Sequence, residues 1–210
     1  MTWHPNVSDL CGFSEAEVKD LLSQTIAECQ VPDDIPSKAV WEVQILEHMR
    51  QFYNGSRFLT QTRQGNVEEV DKVYNPTLTF FFLKWFQYFC GYPEEVMDDN
   101  LRPDENKLAY LAGHKQGKSL LMDALQATGE VSVSTLHKRF GVGDLFTDDQ
   151  QRENLAVLLT YLGGLTVSGR TETGNVRLEI PNLVMRQLYA GRALKMMTKE
   201  SATLRVKGEV

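Results

Sequence analysis

The segment that most restricts how this chain can fold is residues 77–92, TLTFFFLKWFQYFCGY, where aromatic and aliphatic residues follow one another almost without interruption. It falls short of the ~20 residues a membrane-spanning helix needs and carries Lys84 in its middle, so its rings must be covered by protein. Asn75-Pro76 marks the start of a helix there, because Asn caps a first turn well and Pro is tolerated where no internal N–H bond is lost. Phe80, Phe81, Phe82, Leu83, Trp85, Phe86, Tyr88 and Phe89 then point to every side of that helix. The pattern predicts burial on most sides, a hub for the N-terminal half and not a stacking surface for bases.

Other elements fall into place around that hub. Ser14-Glu15-Ala16-Glu17 is a capping box, with Phe13 and Val18 placed as a hydrophobic staple, and predicts a helix to about Cys29. Pro32 and Pro36 interrupt it. Ala39, Val40, Val43, Ile45, Leu46 and Met49 predict a second helix ending before Asn54-Gly55, and the polar run 60–72 fits a surface loop or loose hairpin. The second half has a different order: a helix around 118–127, a β-prone Val131-Ser132-Val133, a helix over 134–140, and a third opened by a capping box at Thr147-Asp148-Asp149-Gln150 and stopped by Gly163-Gly164. Strands over 166–170 and 176–180 flank a turn, with Val176, Leu178 and Ile180 alternating with Arg177 and Glu179. Asn182 then caps a last helix to about Met197, where Met185, Met196 and Met197 serve as gap-fillers, and residues 198–210 read as a flexible tail. That order is the order of a winged helix.

Composition is that of an ordinary soluble chain, 42% hydrophobic and 24% charged over 210 residues. Its net charge of −6 hides an asymmetry: residues 1–100 carry 16 acids and 7 bases, −9, and residues 101–210 carry 12 acids and 15 bases, +3. A mildly basic half permits contact with nucleic acid without demanding it. Cys11, Cys29 and Cys90 lie far apart with no C-x-x-C pair, which suggests neither a disulfide framework nor a zinc knuckle and fits a reduced, cytoplasmic setting. The N-terminal residues lack the basic and apolar regions of a signal peptide. His4, His48, His114 and His137 are scattered, and the acid pairs Glu68-Glu69, Asp98-Asp99 and Asp148-Asp149 fall in loops or at helix starts, so no constellation for metal binding or nucleophilic catalysis is assembled.

Residues 112–119, AGHKQGKS, look at first like a phosphate-binding loop. Such a loop needs a β-branched strand before it, whereas residues 104–111, DENKLAYL, have acids first and apolar residues at helical spacing. Gly113 is also one place too late, with three residues and not four before Gly117. The stretch therefore reads as a helix, a glycine turn and a second helix beginning near Lys118.

Several motifs in order give the chain a family resemblance. Residues 52–58, FYNGSRF, followed by 73–78, VYNPTL, resemble the paired "YNGYRF" and "VYNP" signatures of the AAA-ATPase-like proteins that usually carry a PD-(D/E)XK-type nuclease domain after the ATPase. Residues 10–18, LCGFSEAEV, are similar to their "GFTEEEV" opening motif, and residues 100–108, NLRPDENKL, to their "NLAPDENKL". Residues 159–165 and 180–184 are similar to their "LLYYLGLLT" and "IPNLVV". One position departs: Ser56 stands where the family carries an aromatic residue. In that family the P-loop core, which takes ATP and magnesium, precedes the opening motif and the nuclease follows the "IPN" helix, so the resemblance implies the middle third of a larger protein. The expected fold is mainly α: a helical lid-like subdomain over 1–112, then a winged-helix-like domain with a small β-hairpin over 113–197.

On that resemblance the chain is a non-catalytic part that couples nucleotide state to a partner or nuclease domain, or a truncated remnant, with no cofactor of its own. Arg57 is the candidate phosphate sensor, since a guanidinium fork matches phosphate oxygens, or it pairs with Glu68 or Asp71 to fix its loop. Lys138, Arg139, Arg170 and Arg177 are the candidates for DNA contact by a winged helix, although Asp148 and Asp149 beside Arg152 would repel phosphate. Partners would be the ATPase core or nuclease domain, DNA as the alternative, and a second copy if the uncovered lid exposes apolar surface. An ATP-binding protein using Gly117-Lys118-Ser119 is the further alternative.

Overall fold

The computed structural model describes residues 12–57, 60–61, 67–68, 72–97, 115–126, 129–134, 136 and 151–207. The chain divides into two compact units, one of Met1–Arg102 with Pro181–Val184, the other of Pro103–Ile180 with Met185–Val210. Among the described residues it is mainly α, with small antiparallel sheets, and no helix there is long and apolar enough to cross a membrane.

The first unit is built on α1 (Glu15–Thr25), α2 (Lys38–Tyr53) and α3 (Pro76–Phe89). Each begins at a side-chain cap. Ser14 Oγ accepts from the Glu17 amide at 3.3 Å while the Glu17 carboxylate takes the Ser14 amide at 2.7 Å, Ser37 caps the Val40 amide, and Asn75 Oδ1 accepts from Leu78 at 3.2 Å. The core follows from spacing: Val18, Leu22 and Ile26, then Trp41, Ile45, Met49 and Tyr53, then Leu78, Phe82 and Phe86 recur every fourth residue and are all buried. A four-residue repeat keeps side chains on one helical stripe, and each large side chain so removed from water contributes about 1.5–3 kcal/mol.

Residue Tyr53 passes directly into β1 (Asn54–Ser56), which pairs antiparallel with β4 (Val73–Tyr74), Asn54 opposite Tyr74 and Ser56 opposite Val73 with a bulge between. Phe13 pairs with Tyr74 through two backbone bonds of 3.1 and 2.8 Å. Between β1 and β4, β2 (Thr60–Gln61) pairs antiparallel with β3 (Val67–Glu68), the loose hairpin expected over 60–72. Arg50 ties these pieces together, donating through Nε to Glu15 at 3.0 Å and pairing with Glu47, while the Tyr74 hydroxyl reaches Glu15 at 3.3 Å. The Arg50 guanidinium holds the Glu15 carboxyl below the usual carboxylate range.

Two expectations are corrected in this unit. The aromatic helix is not buried on most sides: Phe80, Tyr88 and Phe89 are 54, 73 and 65% exposed, because α1 and α2 cover only the stripe that holds Phe82 and Phe86. The cysteines do form a cross-link. Cys29, just after α1, and Cys90, at the C-terminal end of α3, are disulfide-bonded with a Cα–Cα distance of 5.6 Å across a sequence separation of 61.

His48 on α2 sits among rings, stacked on Phe52 at 4.4 Å and packed against Tyr92 at 4.7 Å and Phe82 at 5.9 Å. Burial pushes its pKa below the ordinary 6.5. The unfolded chain therefore takes up this proton first as pH falls, so the contribution of His48 is fully present above 6.5 and is lost below it until the folded pKa is reached. Denaturant midpoints measured between neutral pH and pH 5 should decline, and His48→Phe should flatten that decline.

The second unit contains α4 (Lys115–Leu125), β5 (Glu130–Val133), α5 (Gln151–Tyr161), β6 (Thr166–Arg170), β7 (Val176–Glu179) and α6 (Leu183–Lys207). β7 is central in an antiparallel sheet of order β5-β7-β6. Val131 and Val167 both face Leu178 and Val133 faces Val176, so the buried side chains of the three strands stand in register and the alternation along β7 is as expected. Leu120, Leu121 and Ala124 of α4 and Leu155, Ala156 and Leu159 of α5 add to this core. Gly163, at φ +74°, ends α5, and the Gly164 and Leu165 amides both return to the Leu159 carbonyl. The last helix continues to Lys207, beyond the expected stop at Met197, since residues 192–207 contain neither Gly nor Pro. Of the expected helix over 134–140, Ser134 and Leu136 are not helical and the other residues lie outside the described ones, as do the capping box at 147–150 and the expected helix over 104–111.

A Cβ at Gly164 would stand 2.0 Å from the Tyr189 hydroxyl, which is buried without a hydrogen-bond partner among the described residues. Gly164→Ala should cost about 2 kcal/mol or more by forcing that ring aside. Tyr189→Phe should change stability by less than about 1 kcal/mol, because the hydroxyl it removes makes no bond. Urea denaturation of the two variants checks both halves of this contrast.

Candidate functional site

The charged residues singled out by sequence fall in two separate units. Arg57 directly follows β1 in the first unit and is half-buried. Its position depends on Gly55, whose φ of +130° and close approach to the Pro181 carbonyl leave no room for a side chain. The neighbouring Asn54 is buried and its Oδ1 accepts from the Gly55 amide at 2.6 Å. Asp71 lies outside the described residues and the side chain of Glu68 is not described, so the two acids proposed to pair with Arg57 are not placed.

In the second unit the hairpin of β6 and β7 carries Arg170 and Arg177. Arg170 Nη1 donates to the Gly174 carbonyl at 2.8 Å and so braces its own turn, which is further held by Thr171 Oγ1 accepting from the Asn175 amide at 3.0 Å. Arg177 lies across the sheet: Nη1 pairs with Glu130 on β5 at 3.5 Å, while Nη2 would stand 3.1 Å from a Cβ at Gly169 on β6. A bulge between Val167 and Gly169, with Gly169 at φ +149°, makes that passage possible. Lys138 and Arg139 lie outside the described residues.

The single base of α5, Arg152, is also engaged. It donates to Asp123 at 2.7 Å and to Ser119 Oγ at 3.2 Å, both on α4, while Glu153 beside it accepts from the Ser134 amide at 3.2 Å and hydroxyl at 2.6 Å. These contacts dock α5 on α4 and on the end of β5. The sequence points to Arg152 as the one base of a recognition helix, but the partner 29 residues upstream is visible only once the helices are packed.

Gly117, Lys118 and Ser119 lie on helical backbone, with Lys118 behind three helical residues and Gly117 buried. The second helix thus starts at Lys115, three residues earlier than expected. A phosphate-binding loop keeps its Lys at the junction between an irregular loop and the helix and leaves the following hydroxyl for magnesium. Here the Ser119 hydroxyl is taken by Arg152 and approaches Asp123 at 3.5 Å, so these side chains do not fit a magnesium-nucleotide site. Among the described residues no group of three or more His, Cys, Asp and Glu side chains is gathered for a metal ion.

No protein-family model matches the chain, and neither a curated protein nor a solved structure is significantly similar to it.

Proposed function

We propose that the chain is a non-catalytic coupling module of AAA-ATPase-like type, a helical lid followed by a winged helix, acting on a partner that supplies the ATPase core or nuclease. The observation that carries the reading is the chain order of the second unit. A helix, a strand, a helix, a hairpin and a long helix follow one another among the described residues, the three strands making an antiparallel sheet of order β5-β7-β6. That order supports the winged-helix reading, to which the motif order of the whole chain also points.

A protein-facing role is favoured over DNA binding by the state of the arginines. Arg152, Arg170 and Arg177 each hold an internal acceptor, so their presentation to a phosphate backbone would sacrifice contacts that brace the fold. The apolar residues exposed on α3 supply the corresponding surface for a partner.

The test is a pair of titrations of the full chain, one with a fluorescent ATP analogue and magnesium, one with a labelled DNA duplex at low salt, beside binding of a hydrophobic dye. The expected result is dye binding that weakens in a Tyr88→Ser, Phe89→Ser double variant, with saturable binding of neither nucleotide nor duplex. Nucleotide binding lost in Lys118→Ala would replace this reading by an ATP-binding protein. Duplex binding lost when Lys138, Arg139, Arg170 and Arg177 are changed to Ala would replace it by a DNA-binding module.

A further inference from the structure

The Cys29–Cys90 cross-link joins two places that differ in backbone character and in exposure. Cys29 is 9% exposed, whereas Cys90 is half-buried at the end of α3 with φ +48°, the one positive value at a non-glycine residue among those described. Cys90 is the left-handed cap of α3, its amide donating to the Phe86 carbonyl at 2.8 Å, and the link to Cys29 fastens the same residue from its side chain. Immediately beyond it the chain turns back through Gly91, and Tyr92 closes over the aromatic core with ring centroids 4.7 Å from His48, 5.9 Å from Phe86 and 6.2 Å from Phe82. Immediately before it stand Trp85 and Phe89, in contact at 4.6 Å, and the exposed Tyr88.

We propose that this disulfide is a reversible redox clasp, opened by a dithiol reductant, which sets the conformation of the aromatic end of α3 and of the segment carrying Tyr92. A thiolate of the reductant attacks the Sγ of Cys90, the more exposed of the two residues. The S–S bond breaks, and Cys29 leaves as a thiolate that takes up a proton. The second thiol of the reductant then displaces Cys90 from the mixed disulfide, which also ends as a thiol. The pair gains two electrons and two protons and the dithiol loses them as it closes to its own disulfide. Once opened, the cap at Cys90 keeps only its amide bond to Phe86, the last turn of α3 loosens, and Tyr92 is no longer held on His48 and Phe86. Helices α1 and α2 keep their caps and their share of the core, so the opening is local.

The experiment uses the whole chain, with dithiothreitol as the reductant under native conditions. Thiol titration should find one reactive cysteine before reduction, since three cysteines less the two in the link leave one, and three after it. Hydrogen exchange over residues 85–97 should accelerate about tenfold or more on reduction and return on reoxidation, and in the reduced protein it should be faster than in α1 and α2, which stay folded. Cys29→Ser should show the fast exchange in either buffer, and Cys11→Ser should leave the switch intact. Three thiols in the untreated protein would overturn the proposal. So would a link reduced only as fast as the whole unit unfolds, helical signal lost on reduction, or exchange over 85–97 that ignores the redox state.

Discussion

Replacing Cys29 with Ser is expected to lower the stability of the chain by about 4 kcal/mol under oxidising conditions, the entropy that a closed loop of this size removes from the unfolded state. The link spans a sequence separation of 61, so the unfolded chain regains a large set of conformations when it is cut. Cys90→Gly should cost less than Cys90→Ser by up to about 1 kcal/mol, since glycine accepts the left-handed backbone that Cys90 adopts at φ +48°. Urea midpoints with and without reductant measure both differences. A loss below about 1 kcal/mol for Cys29→Ser would mean that the unfolded chain is already held compact by other contacts.

Gly55→Ala is expected to be worse, removing more than about 3 kcal/mol or abolishing the native signal of the first unit. Two independent penalties meet at this position. The backbone stands at φ +130°, outside the region an alanine tolerates, and a Cβ would lie 1.7 Å from the Pro181 carbonyl oxygen, inside any contact distance. Neither can be relieved by rotating a side chain, because the opposing atom belongs to backbone. Circular dichroism melts and limited proteolysis of the variant would show the loss. Wild-type stability would show that β1 and Pro181 do not meet. Since Arg57 is delivered by the same strand, Gly55→Ala also removes the candidate phosphate sensor from its place, and nucleotide effects of Arg57 variants are interpretable only with Gly55 intact.

The elements that the sequence predicts well are those whose signal is local. Ser14 with Glu17 and Asn75 each supply an oxygen to the amide three residues on, so they fix where α1 and α3 begin regardless of what packs on them. Gly163-Gly164 stops α5 for a similar reason, and the alternation of Val176, Leu178 and Ile180 sets the buried face of β7. The end of α6 is a counter-example: the helix runs past Met197 to Lys207, where the sequence predicts a flexible tail. In the candidate site the residue types were legible but their availability was not. Arg152, Arg170 and Arg177 look alike along the chain, and only folding shows that the first holds Asp123, the second its own turn and the third Glu130.

By itself, then, the sequence determined the starts of α1 and α3, the turn that ends α5, the buried face of β7 and the presence of an aromatic hub, because each depends on neighbours within one or two turns. The tertiary structure alone decided three things. It decided which side of that hub stays exposed, through the limited area that α1 and α2 can cover. It joined Cys29 to Cys90, which no spacing rule connects across 61 residues. And it paired Arg152 with Asp123 and Arg177 with Glu130 across helices and strands, since a charge is offset by whatever lies within a few ångströms of it and not by its neighbours in sequence.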